Sequence, residues 1–159
     1  MKNIALIAAA AAVGLVSTAS QAAPFDFNGT ASVVILEQLA ISQNTALSFG
    51  KVDLAASGTS SFTVSAAGAP SVVGTDAKFV SPPVAGAFTV TGSNLPVTLS
   101  KNEGTCGSGV TLTNLTLSAT SVTLVGGSAS FTLGGTVNIA AGTAAGTVNC
   151  SYTLTAQYS

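Results

Sequence analysis

The chain has no histidine and no tryptophan, and only 6% of its 159 residues are charged. Arginine is absent too, and there are two cysteines. Each shortage closes off a chemistry. Without histidine, acid–base work would fall to the isolated carboxylates Asp26, Glu37, Asp53, Asp76 and Glu103, the few lysines and two tyrosines. No two of these carboxylates are spaced as a catalytic pair, so no enzyme is expected. Two cysteines without histidine fall short of the four ligands of a structural zinc site. Gly104-Thr-Cys-Gly-Ser-Gly109 is not followed by Lys-Ser/Thr and precedes a strand pattern, so it reads as a loop and not as a phosphate cradle, and no cofactor is expected. Lysines this few and scattered build no basic patch, which argues against nucleic acid as a partner.

The first residues read as a secretory signal. Lys2 supplies a positive start, Ile4 to Val16 an apolar stretch, and Ser20-Gln21-Ala22 a small-x-small site. Cleavage after Ala22 is expected, with cleavage after Ala23 second because it puts Gln21 at a small-residue position and Pro24 directly after the cut. Residues 1–22 are thus a signal peptide and residues 23–159 one exported β domain. Its three remaining lysines face five carboxylates for a net charge of −2. No other stretch reaches the length of apolar residues that crosses a bilayer, so no membrane span is expected in the mature chain. In an exported chain two cysteines read as one disulfide, Cys106 to Cys150, pinning the Gly-rich loop to the closing strand.

What remains is β pattern. In the last fourteen residues, from Gly146 to Ser159, Val148, Cys150, Tyr152, Leu154, Ala156 and Tyr158 alternate with Thr147, Asn149, Ser151, Thr153, Thr155 and Gln157. A period of two held this long predicts one strand with a buried face and a wet face. Phe25, Phe27, Gly29, Ala31, Val33 and Ile35 alternate in the same way near the other end, before Val34 and Leu36 make the run apolar on both sides; a half-buried strand becoming a fully buried one is expected there. Val33 to Gln43 has the one case for a helix, but its β-branched start favours strand. Further strands are expected at Leu39 to Ser42, Leu47 to Phe49, Ser61 to Ser65, Ala87 to Thr91, Val97 to Leu99, Val110 to Leu117, Val122 to Leu124, Ser130 to Leu133 and Thr136 to Ala140. Glycine and proline punctuate them, including Gly134-Gly135 as a turn. Short strands at this spacing indicate an antiparallel β-sandwich.

The two ends resemble those of chaperone-usher pilins, which finish on an alternating strand with a penultimate tyrosine, here Tyr158, and a glycine fourteen residues from the end, here Gly146. The middle is similar to a family of exported bacterial proteins of unassigned function related to such pilins, through Leu47-Ser-Phe-Gly50 after Ala40-Ile-Ser42, Ala87-Phe-Thr-Val-Thr-Gly92, Phe131-Thr-Leu-Gly-Gly135 and the terminal Tyr-Thr-Leu-Thr-Ala-Gln-Tyr. The resemblance implies an immunoglobulin-like sandwich completed by a donated strand. It further implies a homopolymeric surface fibre serving adhesion or biofilm, with a periplasmic chaperone and an outer-membrane usher as partners. In that reading Phe25, Phe27, Gly29, Ala31 and Val33 form the donor strand, within residues 23–33, and Gly146, Val148, Tyr152, Leu154 and Tyr158 the C-terminal assembly strand. The same segment could instead be the first strand of its own domain. Two other functions stay open: a monomeric secreted sandwich that binds carbohydrate or a host surface, disfavoured by the lack of an aromatic platform, and an outer-membrane barrel, disfavoured by few and uneven aromatics.

Overall fold

The computed structural model describes residues 25–159; the expected signal peptide and the expected cleavage site lie outside them. By internal packing the chain divides into a unit ending at Val34 and a unit Ile35–Ser159. Residues 25–34 contain no strand and no helix, and their side chains are exposed, Phe25 by 98% and Phe27 by 95%. The strand expected from Phe25 to Leu36 is therefore not formed. Alternation records a capacity to be half-buried, and a strand also needs an edge to pair with.

The second unit is an antiparallel, immunoglobulin-like β-sandwich. Its strands in chain order are β1 (Ala40–Thr45), β2 (Val52–Asp53), β3 (Thr59–Val64), β4 (Pro70–Val73), β5 (Lys78–Phe79), β6 (Gly86–Thr91), β7 (Pro96–Glu103), β8 (Val110–Leu117), β9 (Ser121–Thr123), β10 (Ser128–Ala140) and β11 (Tyr152–Tyr158). One sheet runs β1-β6-β10-β3-β4 with β8 also on β10; the second runs β11-β7-β9; β2 and β5 form a two-stranded ribbon. No helix occurs among the described residues, so the helix case for Val33 to Gln43 falls as well. Val110 to Leu117 matches its expected bounds, β3, β6 and β9 match theirs to within a residue or two, β1 and β7 overlap theirs but run on past Ser42 and Leu99, and Leu47 to Phe49 forms only an isolated bridge at Ser48.

β10 organises the sandwich. Its residues 128–133 pair with β6 and residues 135–140 with β3, while β8 runs along its other edge from Leu133 to Ile139. Odd residues point inward: Phe131, Leu133 and Val137 are buried, with Phe88, Val90, Val97, Leu99, Leu112, Leu115 and Leu124 filling the space between the sheets. Phe88 stacks on Phe131, with ring centroids 5.4 Å apart.

The expected turn at Gly134-Gly135 is absent because both glycines lie inside β10. A Cβ on Gly134 would overlap the Val64 carbonyl oxygen and the Ser65–Ala66 backbone, which crosses β10 there; a Cβ on Gly135 would come within 2.9 Å of the Leu115 side chain. Two glycines in mid-strand thus mark a close backbone crossing, not a chain reversal. True reversal occurs at Gly126-Gly127, both at positive φ (63° and 80°), between the bridged residues Val125 and Ser128. Such a two-residue loop is what a right-twisted hairpin selects.

β11 starts at Tyr152, not at Gly146. Its ladder partner β7 ends at Glu103, and the chain beyond is the Gly-rich loop that turns into β8, so residues 146–151 have no strand to pair with.

Candidate functional site

The two long sides of the sandwich are closed differently. On one side the chain crosses between sheets from β8 to β9, and backbone stitches it to both: Ser118 N–H donates to Thr132 O (2.9 Å) in the first sheet and Leu99 N–H to Thr120 O (2.8 Å) in the second. On the other side lie two edge strands, β1 paired only with β6 and β11 paired only with β7. No ladder joins β1 to β11 among the described residues.

The direction of the unused groups on β11 can be read from its ends. Ser151 N–H donates to Thr105 O (2.9 Å), Gly104 N–H donates to Ser151 O (3.1 Å), and Ser159 N–H donates to Pro96 O (3.1 Å). Odd residues therefore spend their backbone groups on the β7 side. Those of Tyr152, Leu154, Ala156 and Tyr158 point to the free edge, since backbone groups alternate along a strand. The side chains of these four residues face inward and are only half-buried, as are Leu39, Ile41, Leu47 and Phe49 across the seam. Tyr152 meets Phe88 edge to face at 6.4 Å, and burial raises its hydroxyl pKa above the ordinary value.

At one end this seam opens into a groove of about 890 Å³. Val110, Leu112, Val137 and Ile139 line it from the core side, Gln43 and Leu47 to Leu54 on one rim, and Thr143 to Cys150 with Tyr152 on the other. Asp53 and Lys51 are its charged lining residues, and Asp53 is paired with Lys78 at 3.5 Å between exposed side chains. An apolar floor with almost no charge suits a hydrophobic peptide face better than a charged small molecule.

At the opposite end a polar node closes the seam. Tyr158 Oη donates to Glu37 O (2.6 Å) and accepts from Ser93 N–H (2.7 Å), while Glu37 N–H donates to Ser93 Oγ (2.8 Å). Gly92 leaves room for the ring, for its Cβ would lie against the Tyr158 hydroxyl. Glu37 is thereby held on both backbone groups three residues before β1, while Ile35, two residues earlier, is 87% exposed. Ser93 and Glu37 were not visible as site residues, since a serine in a turn and a lone glutamate carry no pattern.

Cys106 and Cys150 are bonded, with Cα atoms 4.1 Å apart. The bridge ties the loop after β7 to the residue two before β11, and Thr105 N–H donates to Ser151 Oγ (3.0 Å) beside it. Of the expected C-terminal assembly residues, the structure brings Tyr152, Leu154 and Tyr158 together on the seam; Val148 and Gly146 lie on the groove rim outside β11. The expected donor residues Phe25, Phe27, Gly29, Ala31 and Val33 are exposed and outside any strand. No Ser-x-x-Lys spacing stands out as a catalytic motif, although Ser48-Phe-Gly-Lys51 has that interval, known from some acyl-transfer enzymes. Here the Ser48 hydroxyl accepts the Gly50 N–H (3.2 Å) within a turn, and Lys51 N–H donates to Ser81 Oγ (2.7 Å).

Fold and seam together define a two-sheet, immunoglobulin-like β-sandwich with two free sheet edges side by side. Residues 39–158 match the family described as a domain of unknown function, DUF4402, and the chain belongs to that family. Neither the curated proteins nor the solved structures gave a match to this chain.

Proposed function

We propose that the protein is a structural subunit of a bacterial surface fibre, exported through the periplasm and polymerised by donation of a strand from one copy to the next. The observation that carries this reading is a pair of complementary incompletions. The seam between β1 and β11 offers unpaired backbone and half-buried apolar side chains, and residues 25–35 carry an alternating apolar face that stands exposed among the described residues. A strand laid along β11 would meet the free groups of Tyr152, Leu154, Ala156 and Tyr158. Main-chain bonds would set its register, and alternate side chains would fill the groove. Gly29, midway along the donor face, suits a crowded crossing. Until a neighbour arrives, an open edge beside apolar surface invites aggregation, and covering it is the task a periplasmic chaperone and an outer-membrane usher would perform.

Deletion of residues 24–32 tests the reading. A donor segment is dispensable for folding, so the deleted protein should fold as a monomer, form no fibres by electron microscopy, and bind a synthetic peptide of residues 24–36. Phe27→Asp in the full chain should also block fibres, because a carboxylate placed in an apolar groove costs more than the roughly 2–7 kcal/mol of an unpaired neutral polar group. Fibres that persist with both changes would retire strand donation from this end, and a sandwich that stays monomeric in every form would favour a secreted binding module.

A further inference from the structure

Residues 146–151 carry a strand pattern without being a strand. Val148 and Cys150 continue the inward face of β11 in phase with Tyr152 and Leu154, yet the ladder stops at the Tyr152–Glu103 pair. The backbone across this run is unevenly held. Thr143 is fixed to Ala140 O and Ser151 to Thr105, and Cys150 is bonded to Cys106, but between them no hydrogen bond to the backbone of residues 144–149 occurs among the described residues. The run separates two hollows, the groove of about 890 Å³ on one side and a second of about 550 Å³ on the other. Its side chains up to Asn149 are exposed, Val148 by 39%. The strap is composed of small residues, Ala144-Ala-Gly-Thr147, so little side-chain packing resists its movement.

Parity assigns its free groups. Ser151 turns its N–H and C=O to the β7 side, so in an extended strap those of Val148 and Cys150 point to the same free edge as those of Tyr152 and Leu154. We infer that residues 146–151 are a latent extension of β11, which becomes strand when residues 25–36 of a second copy pair along that edge. This rests on the strand-donation reading and adds to it a local ordering of the acceptor. An incoming strand supplies the partner that β7 cannot, since β7 has already turned away at Glu103. Cys150 acts as the pivot: the bridge to Cys106 holds the strap root in phase with β11, so residues 146–149 need to straighten but not to find their register. The alternating face also fits the partner, because an extended strap would carry Val148 in line with Cys150 and Tyr152 toward the donor.

Amide exchange followed residue by residue by NMR tests it, on the isotope-labelled monomeric protein before and after saturation with unlabelled synthetic peptide of residues 24–36. The expected result is protection of Val148 and Cys150 amides, slowed at least about tenfold, together with those of Leu154 and Ala156. Protection of Leu154 and Ala156 with Val148 and Cys150 unchanged overturns the latent extension and leaves strand donation standing. Absence of protection along the whole of β11 overturns both. As a variant test, Val148→Pro removes the N–H that has no partner in the free protein; it should weaken peptide binding at least about tenfold more than Val148→Ala, which keeps that N–H. Equal loss in the two variants counts against the extension.

Discussion

The Tyr158 hydroxyl donates to the carbonyl oxygen of Glu37 at 2.6 Å, 121 residues away in the chain. With Ser93 it forms a small closed circuit that fixes the last strand to the chain just before the first.

Tyr158→Phe keeps the ring and removes both hydroxyl bonds. A loss of about 1–2 kcal/mol is expected from two modest hydrogen bonds in a partly exposed node. Tyr158→Ala also removes aromatic area and is expected to cost about 3 kcal/mol. Urea unfolding of the two variants checks the order; equal losses would mean that the hydroxyl contributes nothing.

Gly134→Ala is expected to destabilise by about 3 kcal/mol or more, because the added Cβ meets backbone atoms that cannot rotate away. At Gly58 a Cβ would meet nothing within 4 Å, although φ is +80° there, so Gly58→Ala is expected to cost only about 1 kcal/mol. Thermal melts of the pair separate a steric crossing from a purely conformational requirement.

Opening the Cys106–Cys150 bridge, whose cysteines are 44 residues apart, is expected to lower stability by about 4 kcal/mol on the chain-entropy account. The double variant Cys106→Ser with Cys150→Ser, compared with wild type in guanidinium, measures it. The same variant should exchange amides faster at Ser151 and Thr105 than in the centre of β10, since the bridge holds the former pair in place.

Burial raises the Tyr152 hydroxyl above its ordinary value of 10.0. The unfolded chain then loses its proton at lower pH than the folded one. The contribution to stability is whole below about pH 10 and is lost as pH climbs toward the folded value. Tyr152→Phe should therefore flatten the fall in urea midpoint above about pH 10. An unchanged slope in that variant would assign the alkaline loss to other groups.

The strands of the sandwich were legible because each has one face in a common core, and burial writes itself into sequence as a period of two. Thr59 to Val64, where Ser60, Phe62 and Val64 are buried in strict alternation, is the clearest instance. The pattern misled wherever it reports a face and not a neighbour. Phe25 to Val33 and Gly146 to Ser151 alternate as well as β11 does, yet neither forms a strand among the described residues. Gly134-Gly135 misled for the converse reason: glycine signals freedom from a side chain, and the same signal serves a turn or a crossing backbone. The disulfide followed from counting two cysteines in a chain read as exported. The polar node did not, because it is made mostly of main-chain groups, which any residue supplies.

A last consequence concerns the order of assembly during folding. β3 and β6 both depend on β10, and the Ser61–Asn138 side-chain bond spans 77 residues. The β3–β4 hairpin is local, and β1 can already pair with β6, but the element that unites these pieces follows all of them in the chain. Closing loops of this length costs entropy before contacts return it, so slow, cooperative folding is expected, with a rate set by the arrival of residues 128–140 and not by any hairpin. A chain that must wait in this way leaves one edge of β3 and of β6 open until β10 docks, and its kinetic vulnerability lies in that interval more than in the finished sandwich.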